Sequence, residues 1–429
     1  MTHPAQPVQS ATEQLGGEID PPPPVKGTLT RLLVWIFPAN FFIFMMWGAI
    51  PGTLLTTQVQ NLVGADNVVP AMILVSTVGA VCAMIAQPVA GQVSDRTRSK
   101  YGRRAPWMVI GIVVGAVGLI GLASLGSWLA GITIAWAVVQ IAYNFVQGPV
   151  SAILPDRVPL RRRGTFSSIF GFALMGGSTV GAMVAALFIH MIPIAYLMFA
   201  ILVGVTIILF VVFNPDHDNR DVPKPPFDLS AFLHTFWVNP VKHPDFFWAF
   251  TGRLLLYTAY FAIAQYQILL LEHYIGLTVD AAAALIAGVS LISLVCILVS
   301  TAIGGPWSDR VGRRKPFVFG ASALMGVGLL VPWLMPTVTG WVIYTAIMGL
   351  GFGVFQSVDT ALMSQVLPSS ESFGKDLGVV NIAATLPQVL APTVAGVIVL
   401  VGGYGLMFPI GFVLAILGAV CVFFIKSSR

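Results

Sequence analysis

The chain has 429 residues, of which 57% are hydrophobic and only 9% charged, with a formal net charge of +5. Soluble domains carry about 25% charged residues. A mean hydropathy of +0.88 therefore excludes an ordinary soluble enzyme, a disordered chain and a nucleic-acid binder, which needs dense basic patches; a polytopic protein of the lipid bilayer remains.

Residues 1–30 read as a disordered cytoplasmic tail. The first 25 are polar, Pro21 to Pro24 run consecutively, and no apolar run precedes Leu32, so no signal peptide is expected. Twelve stretches then reach the roughly 20 apolar residues that a span needs. They cover 31–57, 68–93, 106–127, 129–151, 165–190, 193–213, 246–272, 280–304, 316–337, 341–366, 377–400 and 404–425. Only the Ile192-Pro193 region separates the fifth from the sixth. The predicted fold is an all-α membrane protein with twelve transmembrane helices in two six-helix bundles, 31–213 and 246–425. A polar cytoplasmic linker, 214–245, joins them, and 426–429 forms a second cytoplasmic tail. Within the linker a short interfacial helix is expected over Leu229 to Trp237.

The charges fix the orientation. All 22 Lys and Arg residues fall in the tails, the linker and the loops after spans two, four, eight and ten, save Arg253 near one end of span seven. Twelve spans place every one of these loops on the same side, and the positive-inside rule makes that side cytoplasmic. Both termini are expected there, in a plasma-membrane protein.

The two bundles echo each other. Gly91-Gln92-Val93-Ser94-Asp95-Arg96 after span two is matched by Gly305-Pro306-Trp307-Ser308-Asp309-Arg310 after span eight, 214 residues on. Gly102-Arg103-Arg104-Ala105-Pro106-Trp107 is matched by Gly312-Arg313-Arg314-Lys315-Pro316-Phe317, 210 residues on. Cys82 and Cys296 are also 214 apart; with Cys421 they sit in apolar runs, as buried small residues rather than a disulfide or metal set. Repeated half-structures around a central interface form a transporter architecture, with substrate held near the midplane.

These residues resemble the major facilitator superfamily, whose loop between helices two and three reads Gly, three residues, Asp-Arg, then Gly-Arg-Arg. The resemblance covers all twelve spans and implies pseudo-symmetric bundles and an inner gate. Gly91, Asp95, Arg96, Gly102, Arg103, Arg104 and, in the second half, Asp309, Arg310, Arg313 and Arg314 are the expected gating residues. Gly91 is expected to let helices approach closely, and the aspartates to form charge-assisted latches with the arginines. A narrower resemblance is to sucrose carriers and the glycoside–pentoside–hexuronide transporters. It rests on Arg98-Ser99-Lys100-Tyr101-Gly102-Arg103-Arg104, Gln147-Gly148-Pro149 and Leu377-Gly378-Val379-Val380-Asn381 with Pro387-Gln388. Two positions depart from it. Gln140 stands where sucrose carriers have a membrane aspartate, and Ser151 where they have an arginine. Gln140 cannot take up a proton, so any coupling has moved.

An ionised group at bilayer depth is costly and marks function. Arg253 and Asp359 are the two clear cases. At about 1.5 Å per residue both lie roughly 10–12 Å inside the basic face. The resemblance places them at similar depth on cavity-lining helices seven and ten, where they could pair. Three readings stand: a coupling pair, in which Asp359 takes a proton and releases Arg253, a static ion pair, or no contact between them. His190, Glu272, His273, Asp66 and Asp280 read as outer interface residues, with His190 the candidate among them for a proton path. Amides both donate and accept and aromatic faces suit sugar rings. Expected substrate-binding residues are therefore Asn40, Trp47, Gln140, Tyr143, Asn144, Gln147, Tyr257, Tyr260, Gln356 and Asn381. Part of this polar set is expected to bridge helices instead. Gly111, Gly115 and Gly118, and Gly177 and Gly181, suit close helix packing, and Pro51, Pro88 and Pro387 suit hinges.

The expected function is secondary active transport of a small polar molecule, a sugar or glycoside, by alternating access with proton symport. No Walker motif offers ATP as the energy source. An exporter of drugs or amphipathic metabolites is the alternative, weakened because Gly176-Gly177-Ser178-Thr179-Val180-Gly181 lacks the proline usual in the superfamily's antiporters. An enzyme would need clustered His, Asp or Cys at one depth, and the six histidines are scattered. Neither catalytic residues nor cofactor nor metal is expected. The partners are the small-molecule substrate, protons and the bilayer, with no nucleic acid, and the protein is expected to be a monomer.

Overall fold

The computed structural model describes residues 28–216, 218–221, 242–365 and 373–425. Among the described residues lie twelve long helices: α1 (Thr28–Val63), α2 (Val68–Arg96), α3 (Ala105–Ser124), α4 (Leu129–Arg157), α5 (Leu160–Leu187), α6 (Ile192–Phe213), α7 (Pro244–Gln265), α8 (Val279–Val311), α9 (Lys315–Leu334), α10 (Val338–Gln365), α11 (Phe373–Gly402) and α12 (Met407–Cys421). Most of the first tail, the helix expected over 229–237 and the last four residues lie outside them. So does the side chain of Asn381.

Helices are the economical answer to a bilayer, because each satisfies its own backbone donors and acceptors where no water can. Eleven are long and apolar enough to cross a membrane; α11 opens with polar residues, and its described apolar stretch runs over Leu386–Gly402. The division between α5 and α6 is real. The Phe188 N–H bonds back to Val184 O at 3.1 Å, ending α5, and Pro193 occupies the first turn of α6, where its missing donor costs nothing. On α6, Ile201, Val205, Ile208 and Val212 are exposed at helical spacing and form a stripe for lipid.

Proline marks the main irregularity. Pro51 falls in a wide π-turn, Ile50–Leu54, inside α1. Its ring excludes a regular turn, and the Thr56 hydroxyl donates to the Pro51 carbonyl at 3.1 Å. A second wide turn, Leu270–Tyr274, ends the extension of α7.

The repeat in sequence is a repeat in packing. Within the first bundle α1 packs on α5 and α6, α2 on α4, and α3 on α4 and α6. Within the second, α7 packs on α11 and α12, α8 on α10, and α9 on α10 and α12, the same pairings six helices on. Between the bundles α2 meets α11 and α5 meets α8. Glycines set the closest crossings. A Cβ at Gly181 would lie 2.0 Å from Met45 O, and one at Gly177 2.5 Å from Phe41 O, so α5 lies backbone to backbone on α1. Gly102 and Gly312, equivalent in the repeat, both have positive φ (80° and 67°), a left-handed turn that favours glycine.

Candidate functional site

A cavity of about 640 Å³ lies between the bundles, within the range of small-molecule sites. The first bundle contributes Trp47 from α1, Gln87 from α2 and Gln140, Asn144 and Gln147 from α4. Gln140, Asn144 and Gln147 are spaced four and three residues apart, one face of a helix. Trp47 Nε1 donates to Gln147 Oε1 at 3.1 Å, and its ring meets Trp136 edge to face at 6.1 Å. The second bundle contributes Arg253, Tyr257, Tyr260, Gln265 and Gln267 from α7 and its extension, and Trp341, Tyr344, Phe352 and Gln356 from α10. Tyr260 stacks on Phe352 with centroids 4.5 Å apart. Among the described residues of this lining, Arg253 carries the charge.

Arg253 and Asp359 do meet. Nε lies 3.5 Å from Oδ2, and both side chains are buried, at 7% and 4% exposure. The contact falls short of a hydrogen bond. Arg253 Nε and Nη1 and Asp359 Oδ2 have no hydrogen-bond partner among the described residues. The guanidinium sits over the Tyr257 ring, 5.2 Å from its centroid. The Tyr257 hydroxyl donates to Gln356 Oε1.

Two expected binding residues lie elsewhere. Asn40 is buried at 2% exposure and donates to Ile36 O, 2.9 Å away, on its own helix. It closes its own turn, not the cavity wall. Tyr143 turns toward α3, where a Cβ at Gly115 would be 2.6 Å from its ring, so it backs the wall without lining it. The Gln58 amide holds α3 and α6 together, donating to Leu122 O at 2.8 Å and accepting from Tyr196 at 2.7 Å.

At the basic end, Asp95 bonds Arg104 at 2.6 Å and approaches Arg103 at 3.9 Å. Asp156, at the end of α4, bonds Arg103 at 2.6 Å and Arg104 at 3.0 Å. Sequence reasoning passed over Asp156. Its only signal is an acid beside Arg157 at the end of a span, and its partners are half a bundle away in sequence. The echo in the second half is thinner: Asp309 reaches Arg314 at 3.4 Å, and Arg310 and Arg313 are exposed. The position equivalent to Asp156 is Gln365, which carries no charge. The expectation for Gly91 is corrected. A Cβ there would meet nothing within 4 Å, although the Gly91 backbone N lies 3.9 Å from where a Cβ at Gly148 of α4 would stand.

The end away from the basic loops is sealed. Thr77 and Thr393 share a hydrogen bond of 2.6 Å between α2 and α11, and a Cβ at Gly52 would lie 3.0 Å from Ala264 O. His190, in the turn after α5, meets Asp280 of α8 at 2.5 Å, both largely exposed.

Comparison with known proteins finds a family model, the Major Facilitator Superfamily, matching residues 36–301 and 268–429. The sucrose transport protein SUT4 of Oryza sativa is 31% identical over 192 residues, covering 40% of this chain and 31% of that protein. Less than a third of that relative's length is thus spanned. Among solved structures, a D-xylose-proton symporter superposes with a TM-score of 0.67 at 15% identity, covering 94% of this chain and 98% of that one. A POT family transporter in complex with a conjugated peptide gives 0.71 at 13% identity, covering 91% and 95%. At such identities the likeness is one of fold.

Proposed function

The chain belongs to the Major Facilitator Superfamily, and from that premise we propose that it takes up a sugar or glycoside from outside the cell in symport with protons. The central cavity carries this reading. Amides that both donate and accept stand beside aromatic faces, and among the described residues only Arg253 brings a charge to the lining. That suits a neutral, hydroxyl-rich molecule with a ring face. The sequence relatives include the sucrose transport protein SUT4 and, at 33% identity over 103 residues, a lactose permease of Leuconostoc lactis.

The basic face is the cytoplasmic one by the positive-inside rule, so a sealed opposite end corresponds to an inward-facing state. Asp359 and Arg253 are the coupling pair. Protonation of Asp359 discharges the pair and frees Arg253 within the lining. The sealed end then exchanges roles with the basic end, where the loop arginines and Asp95, Asp156 and Asp309 hold the gate.

The test is uptake of labelled sucrose, lactose, maltose and melibiose into proteoliposomes, with and without an inward proton gradient. Accumulation of at least one sugar above equilibrium, only with the gradient, is expected. Failure of all four to exchange or accumulate overturns the substrate class.

A further inference from the structure

On the first-bundle side of the cavity one large ring is set into one small residue. Trp136 of α4 belongs to the lining, yet only 2% of it is exposed. The reason lies on α2. Ser76, Ala80, Ala83 and Gln87 form the stripe that α2 shows to the cavity, and Gly79 sits buried beside it, facing α4. A Cβ at Gly79 would stand 2.3 Å from Trp136 Nε1, 2.5 Å from its Cδ1 and 3.4 Å from Gln140 Cγ. The indole thus fills the place where any other residue would put its first side-chain carbon. The second bundle treats the same place differently. Ser293 of α8 lies 214 residues after Gly79, and Thr345 of α10 lies 209 after Trp136, the displacement that relates Asp156 to Gln365. Both line the cavity with short side chains. No ring there needs a niche, and serine stands where the first bundle has glycine.

We infer that Gly79 is a positioning residue that sets the size of sugar the cavity accepts, by letting Trp136 withdraw into α2; this rests on the sugar reading above. A close-packed interior offers a displaced ring no other room. A methyl group at position 79 pushes the indole away from α2, toward the void on its other side, which is the cavity. There it presses on Trp47, whose ring already meets it edge to face at 6.1 Å and whose Nε1 holds Gln147 at 3.1 Å. The binding amide shifts with the ring, and a sugar long enough to reach this wall loses its place. The helix itself does not suffer, because alanine is favoured over glycine inside a helix. The effect of the methyl group therefore runs through Trp136.

The test is Gly79→Ala, Trp136→Val and the double variant in proteoliposomes, with the panel sugar that the wild type exchanges fastest. The half-saturating concentration and the maximal exchange rate are measured on the same preparations. Gly79→Ala is expected to raise the half-saturating concentration by about tenfold or more, the discrimination that one methylene in a binding pocket supplies, with the maximal rate kept. A variant impaired only in folding does the opposite: it loses rate and keeps the half-saturating concentration. Trp136→Val ends its side chain before the two atoms that the new methyl group would strike. Adding Gly79→Ala to Trp136→Val is therefore expected to change the half-saturating concentration little, the non-additivity of groups in contact. Trp136→Val alone opens the wall, and the trisaccharide maltotriose is expected to compete for exchange about tenfold more strongly than in the wild type. This arm needs no change at Gly79, so it decides even where Gly79→Ala does not fold. An unchanged half-saturating concentration in Gly79→Ala, an equal rise in both backgrounds, or unchanged competition by maltotriose overturns the inference. A wild type that exchanges none of the panel sugars overturns the sugar reading and this inference together, whereas an active wild type with an indifferent Gly79→Ala sinks the inference alone.

Discussion

Replacing Asp359 by Asn separates the two readings of the buried pair. Across 3.5 Å, opposite unit charges attract by about 5 kcal/mol at an effective dielectric near 20. Removing one partner strands the other, and such changes cost roughly 3–5 kcal/mol. Asp359→Asn is therefore expected to lower the melting temperature in detergent measurably, since Arg253 stays charged and buried in the cavity lining. Replacing both residues, with Arg253→Met and Asp359→Leu, removes the stranded charge and is expected to recover most of that loss. Accumulation separates from stability. Asp359→Asn fixes the side chain neutral, so gradient-driven uptake is lost while sugar exchange continues at a measurable rate. The assay is the pair of uptake modes, read beside thermal scans of the same three proteins. Wild-type accumulation in Asp359→Asn refutes the coupling role, and accumulation restored in the double variant makes the pair a scaffold only.

Three further perturbations follow from the geometry. Gly91→Leu adds a side chain where a Cβ meets nothing within 4 Å, so sugar binding from the basic face is kept. Closing the basic ends is obstructed and counterflow stops, an account that normal counterflow would defeat. Trp47→Phe removes the 3.1 Å bond to Gln147 and is expected to raise the half-saturating sugar concentration about two- to tenfold, the equivalent of one neutral hydrogen bond of about 0.5–1.5 kcal/mol. An unchanged value would remove Trp47 from the site. His190→Ala breaks an exposed pair between the bundles, worth at most about 1 kcal/mol. Alkylation from outside of a cysteine placed at Gln267 is expected to quicken no more than about fivefold, and no change at all would mean that the pair does not hold the outer seal.

The sequence carries the topology because its two strongest signals are global. Apolar runs of fixed length and the one-sided placement of Lys and Arg allow only one count of spans. Depth is legible too, since Arg253 and Asp359 can be measured in residues from the basic face. What is not legible is the rotation of each helix about its axis. Gln140, Asn144 and Gln147 share a face by spacing, whereas Tyr143 lies just off it and turns to Gly115. Asn40 is polar at a plausible depth, yet its amide is consumed by the carbonyl of Ile36. Asp156 shows the limit for ionic networks. Nothing local distinguishes it from a loop charge, and its role depends on two arginines brought back by the α2–α3 loop. Gly91 misleads for another reason. A carrier visits more than one arrangement, and a residue suited to close approach in one can stand in open space in another.

The proposed coupling through Asp359 has an electrical consequence. With Asp359 ionised, Asp359 and Arg253 sum to zero, so an empty carrier reorients without moving their net charge across the membrane. With Asp359 protonated, the loaded carrier carries the single positive charge of Arg253 beside an uncharged sugar. A cycle that returns empty therefore moves one charge inward per sugar. Each elementary charge is worth about 2.3 kcal/mol per 100 mV, which at about 1.4 kcal/mol per decade sets a ceiling near fiftyfold accumulation for 100 mV. Proteoliposomes given an inside-negative potassium diffusion potential, with equal pH on both sides, are expected to accumulate sugar toward that ceiling. Accumulation under a pH gradient that does not respond to the potential would mean that a compensating charge moves with the proton, and the neutral-pair account of the empty carrier would fall.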